Sequence, residues 1–268
     1  VASSGPTPID IPDGLTPFVL DGDTPGWLSE PWRDRVLQAP SPFVPSGDAI
    51  TLDPALIGFE RRSAALDEWA ARALRRWRLP GWRGERCRVD AAGQPAFLLE
   101  RALLRPLGLA LRSVQATAYR CGPAGPRLWV AHRADTKPVE PGRLDALVGG
   151  GIAGHDAPWP TLLRECAEEA GIPPALAQHA RPAGHLELCY STAYDDRPAL
   201  HRERVMLFDL ELPPDFEPHC ADGEHQAILS LTPAEVLASV DTGRWTREGA
   251  QAALDLIARQ GWLARHPD

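Results

Sequence analysis

The chain has 268 residues, with 28 basic and 36 acidic side chains and a net charge of −8. That sign disfavours a nucleic-acid backbone as the main partner, and no apolar run approaches the length of a bilayer span. The five cysteines (Cys87, Cys121, Cys166, Cys189, Cys220) are scattered and lack any CxxC pair, which fits reduced thiols better than a disulfide frame or a zinc site. No charged segment precedes an apolar leader, so the expected location is cytoplasmic. All basic residues but Lys137 are Arg, and Asn is absent. This is codon pressure from a GC-rich genome and points to a bacterial source. The isolation of Lys137 makes it a candidate phosphate ligand, with a chance surface residue as the alternative.

Residues 1–15 are rich in Ser, Pro, Thr and Gly and read as an irregular lead-in. Residues 16–112 read as a smaller α/β accessory domain. FVLDG (18–22) suggests a strand and turn. SAALDEWAARALRRW (63–77) suggests an amphipathic helix with Leu66, Trp69, Ala70, Ala73 and Trp77 on one side. CRVD and AFLLE, joined by AAGQP, suggest a hairpin. Trp27, Trp32, Trp69, Trp77 and Trp82 read first as core and second as a binding surface. A second domain, 113–268, changes to strands around a helix. SVQATAYRC and RLWVAHRA pair across GPAGP, and LDALVGGG leads to a helix behind a Gly-Gly loop. HLELCYSTAY and ERVMLFDLEL form strands joined across the polar segment DDRPALHR. TPAEVLASV and TREGAQAALDLIARQGWL close the chain as helices capped by Thr232 and Thr246.

Residues 150–172, GGIAGHDAPWPTLLRECAEEAGI, concentrate the chemistry. Glu165, Glu168 and Glu169 stand at i, i+3 and i+4, so on a helix their carboxylates span an arc of about 100°. Leu163, Cys166, Ala167 and Ala170 fall nearly opposite, as an apolar face. Like charges so spaced repel, and a shared divalent cation removes that penalty. Mg²⁺, or Mn²⁺ in its place, binds a few carboxylates and leaves positions for a diphosphate. Gly150 and Gly151 are expected to let the backbone approach the ligand at positive φ, and Arg164 to grip a neighbouring carboxylate. Pro158 and Pro160 suit the first turn, and Gly171 the end.

Gly150, Arg164, Glu165, Cys166, Glu168, Glu169, Gly171 and Ile172 together resemble the Nudix box, G-x5-E-x7-R-E-U-x-E-E-x-G-U. Asp156 departs from it, standing where the box has Glu, and reads as a helix cap before a catalyst. The segments FVLDG, GWLSE, WRGERCRVD, LLERALLRPLG, TKPVEPGRLDALVGGGIAG and CYSTAYDDRPALHRERVMLFDLEL are similar to a Nudix subfamily. In fungi its Nudix domain is fused to thiamine pyrophosphokinase. The resemblance implies an α+β, α-β-α sandwich with a mixed sheet and the box helix, preceded by the accessory domain. It also implies a Mg²⁺-dependent hydrolase of organic diphosphates, notably oxidised thiamine diphosphate, giving monophosphate and phosphate. A nucleoside diphosphate derivative (ADP-ribose or a dinucleoside polyphosphate) is the rival substrate, and a non-catalytic binding module the rival class. The expected partner is a small molecule, with neither nucleic acid nor membrane, and a homodimer is allowed.

By that resemblance Glu165, Glu168 and Glu169 are the metal ligands, and these with Arg164 are catalytic. Nudix enzymes often add a glutamate from outside the box; Glu224 in DGEHQ is the candidate, with a turn carboxylate as the alternative. Glu187, Glu203 and Glu211 are weaker candidates. Gly150, Gly151, Lys137 and Tyr190 are candidate substrate contacts, since some relatives stack a base near the position of Tyr190. His155, His185 and His201 are further acid–base candidates.

Overall fold

The computed structural model describes residues 11–82, 84–137, 140–154 and 156–262. His155 and most of the lead-in lie outside them. The described residues form two compact units. One comprises 1–112 with 152–156 and 187–204, and the other 113–151, 157–186 and 205–268.

In the first unit, β1 (Thr16–Leu20) and β2 (Asp23–Leu28) form an antiparallel hairpin. Its turn, Asp21-Gly22, has φ of 52° and 79°. Two successive positive φ values match the right-handed twist of the strands, and Asp and Gly tolerate them best. After α1 (Glu30–Val36), β3 (Phe43–Ser46) and β4 (Ala49–Leu52) complete a sheet in the order β2-β1-β4-β3, with β1 and β4 parallel. Helix α2 (Phe59–Trp77) begins four residues before the expected start. The Ser63 hydroxyl explains the extension: it donates to the Phe59 carbonyl and accepts from the Leu98 N–H, so it is spent inside the helix rather than at a cap. Leu66, Trp69, Ala70 and Ala73 are buried along the helix as the pattern requires, and Trp77 is half-buried. The strands β5 (Arg86–Ala91) and β6 (Gln94–Glu100) pair as a hairpin. Phe18, Trp32, Leu66, Phe97 and Leu99 are fully buried at the centre of this unit, each contributing about 1.5–3 kcal/mol of transfer free energy.

The long strands that follow are β7 (Ala110–Gly122) and β8 (Gly125–Arg133), then the short β9 (Leu144–Ala146) and β10 (Val148–Gly151). Helices α3 (Pro158–Ala170) and α4 (Pro174–Ala177) precede β11 (Arg181–Tyr194) and β12 (Arg197–Glu211). The chain closes with β13 (His225–Leu231), α5 (Pro233–Val240) and α6 (Arg247–Arg259). The seven-stranded sheet runs β11-β12-β7-β8-β13, with β10 added to β7 and β9 to β8. The α+β architecture with a mixed sheet in the first unit and the box helix in the second is therefore present. Thr232 and Thr246 cap α5 and α6, the first through a reciprocal bond with Glu235. Leu128, Val130, Leu144, Val236, Leu256 and Ile257 form a core under these two helices. Among the described residues no helix is long and apolar enough to cross a membrane.

Two local expectations are corrected. DDRPALHR is not a long polar connection. Only Asp195 and Asp196 turn the chain, at φ 51° and 56°, and Ala199, Leu200 and His201 are already buried in β12. The glycines before α3 are not a loop either: Gly149, Gly150 and Gly151 pair with Gln115, Val114 and Ser113 as strand β10.

Candidate metal and diphosphate site

Helix α3 begins at Pro158, whose missing N–H costs nothing in a first turn, and ends at Gly171, left-handed at φ 62°. Its N-cap is Ala157 with no side-chain bond, so Asp156 is not the cap that the sequence suggests. Asp156 is exposed, and its N–H donates to the Ala153 carbonyl in a turn. The buried side of the helix carries Thr161, Leu162, Cys166, Glu169 and Ala170. The apolar face is thus rotated from the expected one. Ala167 is exposed, Leu163 is half-buried, and Glu169 lies among the core residues.

That rotation grades the three glutamates. Glu169 is 4% exposed, whereas the side chains of Glu165 and Glu168 are 12% and 51% exposed. The Glu169 carboxylate accepts the Gly149 N–H at 2.8 Å. A Cβ at Gly150 would run into the Glu165 carboxylate. Glycine is needed at 150 for room beside Glu165, not for a positive φ, which this strand residue does not have. Arg164 spans the other two carboxylates, donating to Glu165 at 2.7 Å and to Glu168 at 2.6 Å.

The loop before β13 supplies the rest. His219 and Ala221 donate backbone N–H bonds to the carbonyls of Ala170 and Glu169. A side chain at Gly171 would strike the His219 ring, so the same glycine ends the helix and seats the loop. The loop then turns at Gly223 (φ 80°), with the Glu224 N–H donating to the Asp222 carboxylate at 2.8 Å. One carboxylate oxygen from each of Glu169, Asp222 and Glu224 lies within 4.8 Å of the others. Burial pushes the Glu169 carboxyl well above the usual carboxylate range. The Gly149 bond opposes this, while Glu165, Glu224 and Asp222 add to it. Burial also raises Glu165, against Arg164. Three convergent oxygens with mutual repulsion match the donor set of a hard divalent cation.

Asp222 is absent from the sequence-derived set, although it is two residues from the chosen Glu224. Its side chain reads as a turn former, and it is one; Oδ1 takes the turn bond and the carboxylate still faces Glu169. Lys137 pairs with Glu224, so the lone lysine meets the site through a carboxylate. The other candidates fall elsewhere. Tyr190 stacks on His201, ring centroids 4.7 Å apart, within the segment grouped with the first unit. His201 stands between Arg105, 3.0 Å from Nδ1, and Glu203, 3.0 Å from Nε2. Glu187 pairs with Arg204, and Glu211 and His185 are exposed.

A family model described as "NUDIX domain" matches residues 111–250, and one described as "Domain of unknown function (DUF4743)" matches 11–110. The chain is similar to Nudix hydrolase 24, chloroplastic, of Arabidopsis thaliana, at 29% identity over 92% of this chain and 68% of the relative. It is similar to Nudix hydrolase 20, chloroplastic, of the same plant, at 30% identity over 69% of this chain. The chain spans about half, 49%, of that second relative's length. Among solved structures, the Deinococcus radiodurans protein DR0079 aligns with 64% of this chain and 97% of its own, at 22% identity and a TM-score of 0.49.

Proposed function

The chain belongs to the Nudix hydrolase family, since the domain model covers residues 111–250, and from that premise we propose that it cleaves an organic diphosphate with the aid of Mg²⁺ or Mn²⁺. The observation that carries this reading is the meeting of Glu169, Asp222 and Glu224 within 4.8 Å. These three carboxylates would hold the cation, with the Glu165 carboxylate next to the cluster. When bound, the cation supplies Lewis-acid polarisation of a phosphoryl oxygen and lowers the pKa of a bound water.

The chain's own residues divide the remaining work. The Gly149 N–H fixes the Glu169 rotamer. Arg164 holds Glu165 at Oε1, leaving Oε2 to take the proton of the attacking water. Glu168 carries the other end of Arg164, and so positions Glu165 indirectly. The close packing of Glu165 on Gly150 keeps the carboxylate at the strand edge. Lys137, held to Glu224, brings its ammonium next to the acidic cluster, where it would meet the negative charge of the diphosphate.

The substrate we assign is a thiamine diphosphate-like molecule, oxidised forms included, on the strength of the subfamily resemblance carried by both halves of the chain. A panel of diphosphates incubated with Mg²⁺ or Mn²⁺ tests both levels. Release of inorganic phosphate from oxythiamine diphosphate is the expected result. Cleavage of ADP-ribose or a dinucleoside polyphosphate into two phosphorylated products, with thiamine compounds untouched, overturns the substrate. No turnover with any diphosphate overturns the catalytic reading.

A further inference from the structure

The segment 72–88 holds seven arginines and one acid, Glu85, inside a chain whose net charge is −8. Nothing in the diphosphate chemistry uses it. Part of this segment, the last two turns of α2, faces a groove of about 380 Å³. The half-buried Trp77 lines it together with Arg72, Arg75, Arg76 and Gln38, with the buried Trp69 and Ala73 behind. All of these residues belong to the first unit.

We propose that this groove binds a small anionic ligand bearing a planar ring, such as an aromatic phosphate monoester. The volume is at the lower end of the range for small-molecule pockets, about 300–1,000 Å³, which suits one ring system and its phosphate. The indoles of Trp69 and Trp77 meet edge to face, centroids 5.8 Å apart. Trp77 already lies under a cation, the Arg35 guanidinium, 5.5 Å from its ring. Aromatic faces and edges of this kind favour a flat ring over an aliphatic chain.

Charge selects the rest of the ligand. Arg72 reaches a carboxylate only at 3.9 Å, on the exposed Glu68, and Arg75 and Arg76 have no carboxylate partner among the described residues. The C-terminus of α2 presents about half a negative charge. A single guanidinium is enough to balance it, and three surround the groove. Guanidinium groups bind phosphate through paired N–H donors, so adjacent arginines above an apolar floor match a phosphorylated ring. A bare anion leaves the half-buried Trp77 ring uncovered, and a neutral ring leaves the arginines unpaired.

The full chain, with EDTA present, is titrated with 1-naphthyl phosphate by calorimetry, alongside 1-naphthol and inorganic phosphate. The monoester is expected to bind more tightly than either fragment. Affinity should fall at least about tenfold in R75Q/R76Q and stay unchanged in E169Q. Diphosphate hydrolysis should be unaltered by R75Q/R76Q, and the exposed R72Q variant should weaken binding on its own. The proposal is overturned by equal binding of 1-naphthol, by equal binding of inorganic phosphate, or by no binding at millimolar monoester. Loss of binding in E169Q with R75Q/R76Q unaffected also overturns it, because the ligand then sits among the catalytic carboxylates.

Discussion

Two carboxylates lie buried in the unit that carries the box helix, and their surroundings differ in kind. Asp145 on β9 is 8% exposed and Glu169 on α3 is 4% exposed. Around Asp145 the chain supplies donors. Arg133 binds Oδ2 at 3.0 Å, while Gln115, Thr246 and the Ala146 N–H bind Oδ1. Around Glu169 it supplies one donor, the Gly149 N–H, and three further carboxylates within electrostatic reach. Burial pushes both carboxyls up, but at Asp145 Arg133 and the hydrogen bonds act against it. A buried charge with its partners present is part of the fold. A buried charge among like charges needs a counter-ion from outside. The acid cluster therefore reads as a ligand site, and Asp145 as the peg joining β9 to the first turn of α6, where Gly249 leaves it room.

The sharpest way to break that contrast is to neutralise each carboxylate. E169Q keeps the acceptor for the Gly149 N–H and should lower diphosphate turnover by at least about a hundredfold, without lowering the thermal stability of the metal-free protein; unimpaired turnover would end the assignment. D145A should do the reverse, and chemical denaturation should show a loss of about 3 kcal/mol, because Arg133 and Gln115 are left facing an empty acceptor. D222N tests the cluster itself. Its Oδ1 can still accept the Glu224 N–H, so the turn survives, while Mg²⁺ affinity read by thermal shift should drop at least about tenfold.

Proton linkage gives a subtler reading of the same contrast. In metal-free protein the Glu169 pKa is raised on folding, so the folded state binds its proton more tightly than the unfolded state does. The stability this contributes is complete below the ordinary value of 4.5. It is lost as pH rises through the elevated folded value. Denaturation of metal-free wild type against E169Q should show that declining component in the wild type alone, and saturating Mg²⁺ should remove it. The smallest effect is expected for E168A, whose exposed pair with Arg164 should contribute no more than about 0.5 kcal/mol. Its loss of turnover should also be smaller than that of E169Q.

Much of the architecture was legible in periodicity. The alternation of SVQATAYRC and RLWVAHRA marks β7 and β8, and the threonine caps of α5 and α6 follow from their hydroxyl positions. Misreadings arose where a local signal had two uses. The polar residues of DDRPALHR looked like a linker, yet the two aspartates alone make the turn and the rest enter the sheet. Gly149 to Gly151 looked like a loop because glycine permits positive φ; here the strand is extended, and Gly150 makes room for Glu165. Asp222 was not legible as a member of the acidic cluster because its turn-forming bond is the more common use of Asp before Gly.

The spacing of Arg164, Glu165, Glu168 and Glu169 was enough, by itself, to place the acidic residues on one short helix, and the resemblance of the whole segment to the Nudix box indicated diphosphate chemistry. Helical period is local, and it is written into residue order. Which carboxylate is buried, and which distant acids join it, depended on the packing angle of α3 and on the loop bonds from His219 and Ala221 to the helix end. Those are contacts between residues some 50 positions apart, set by how elements pack rather than by any repeat along the chain.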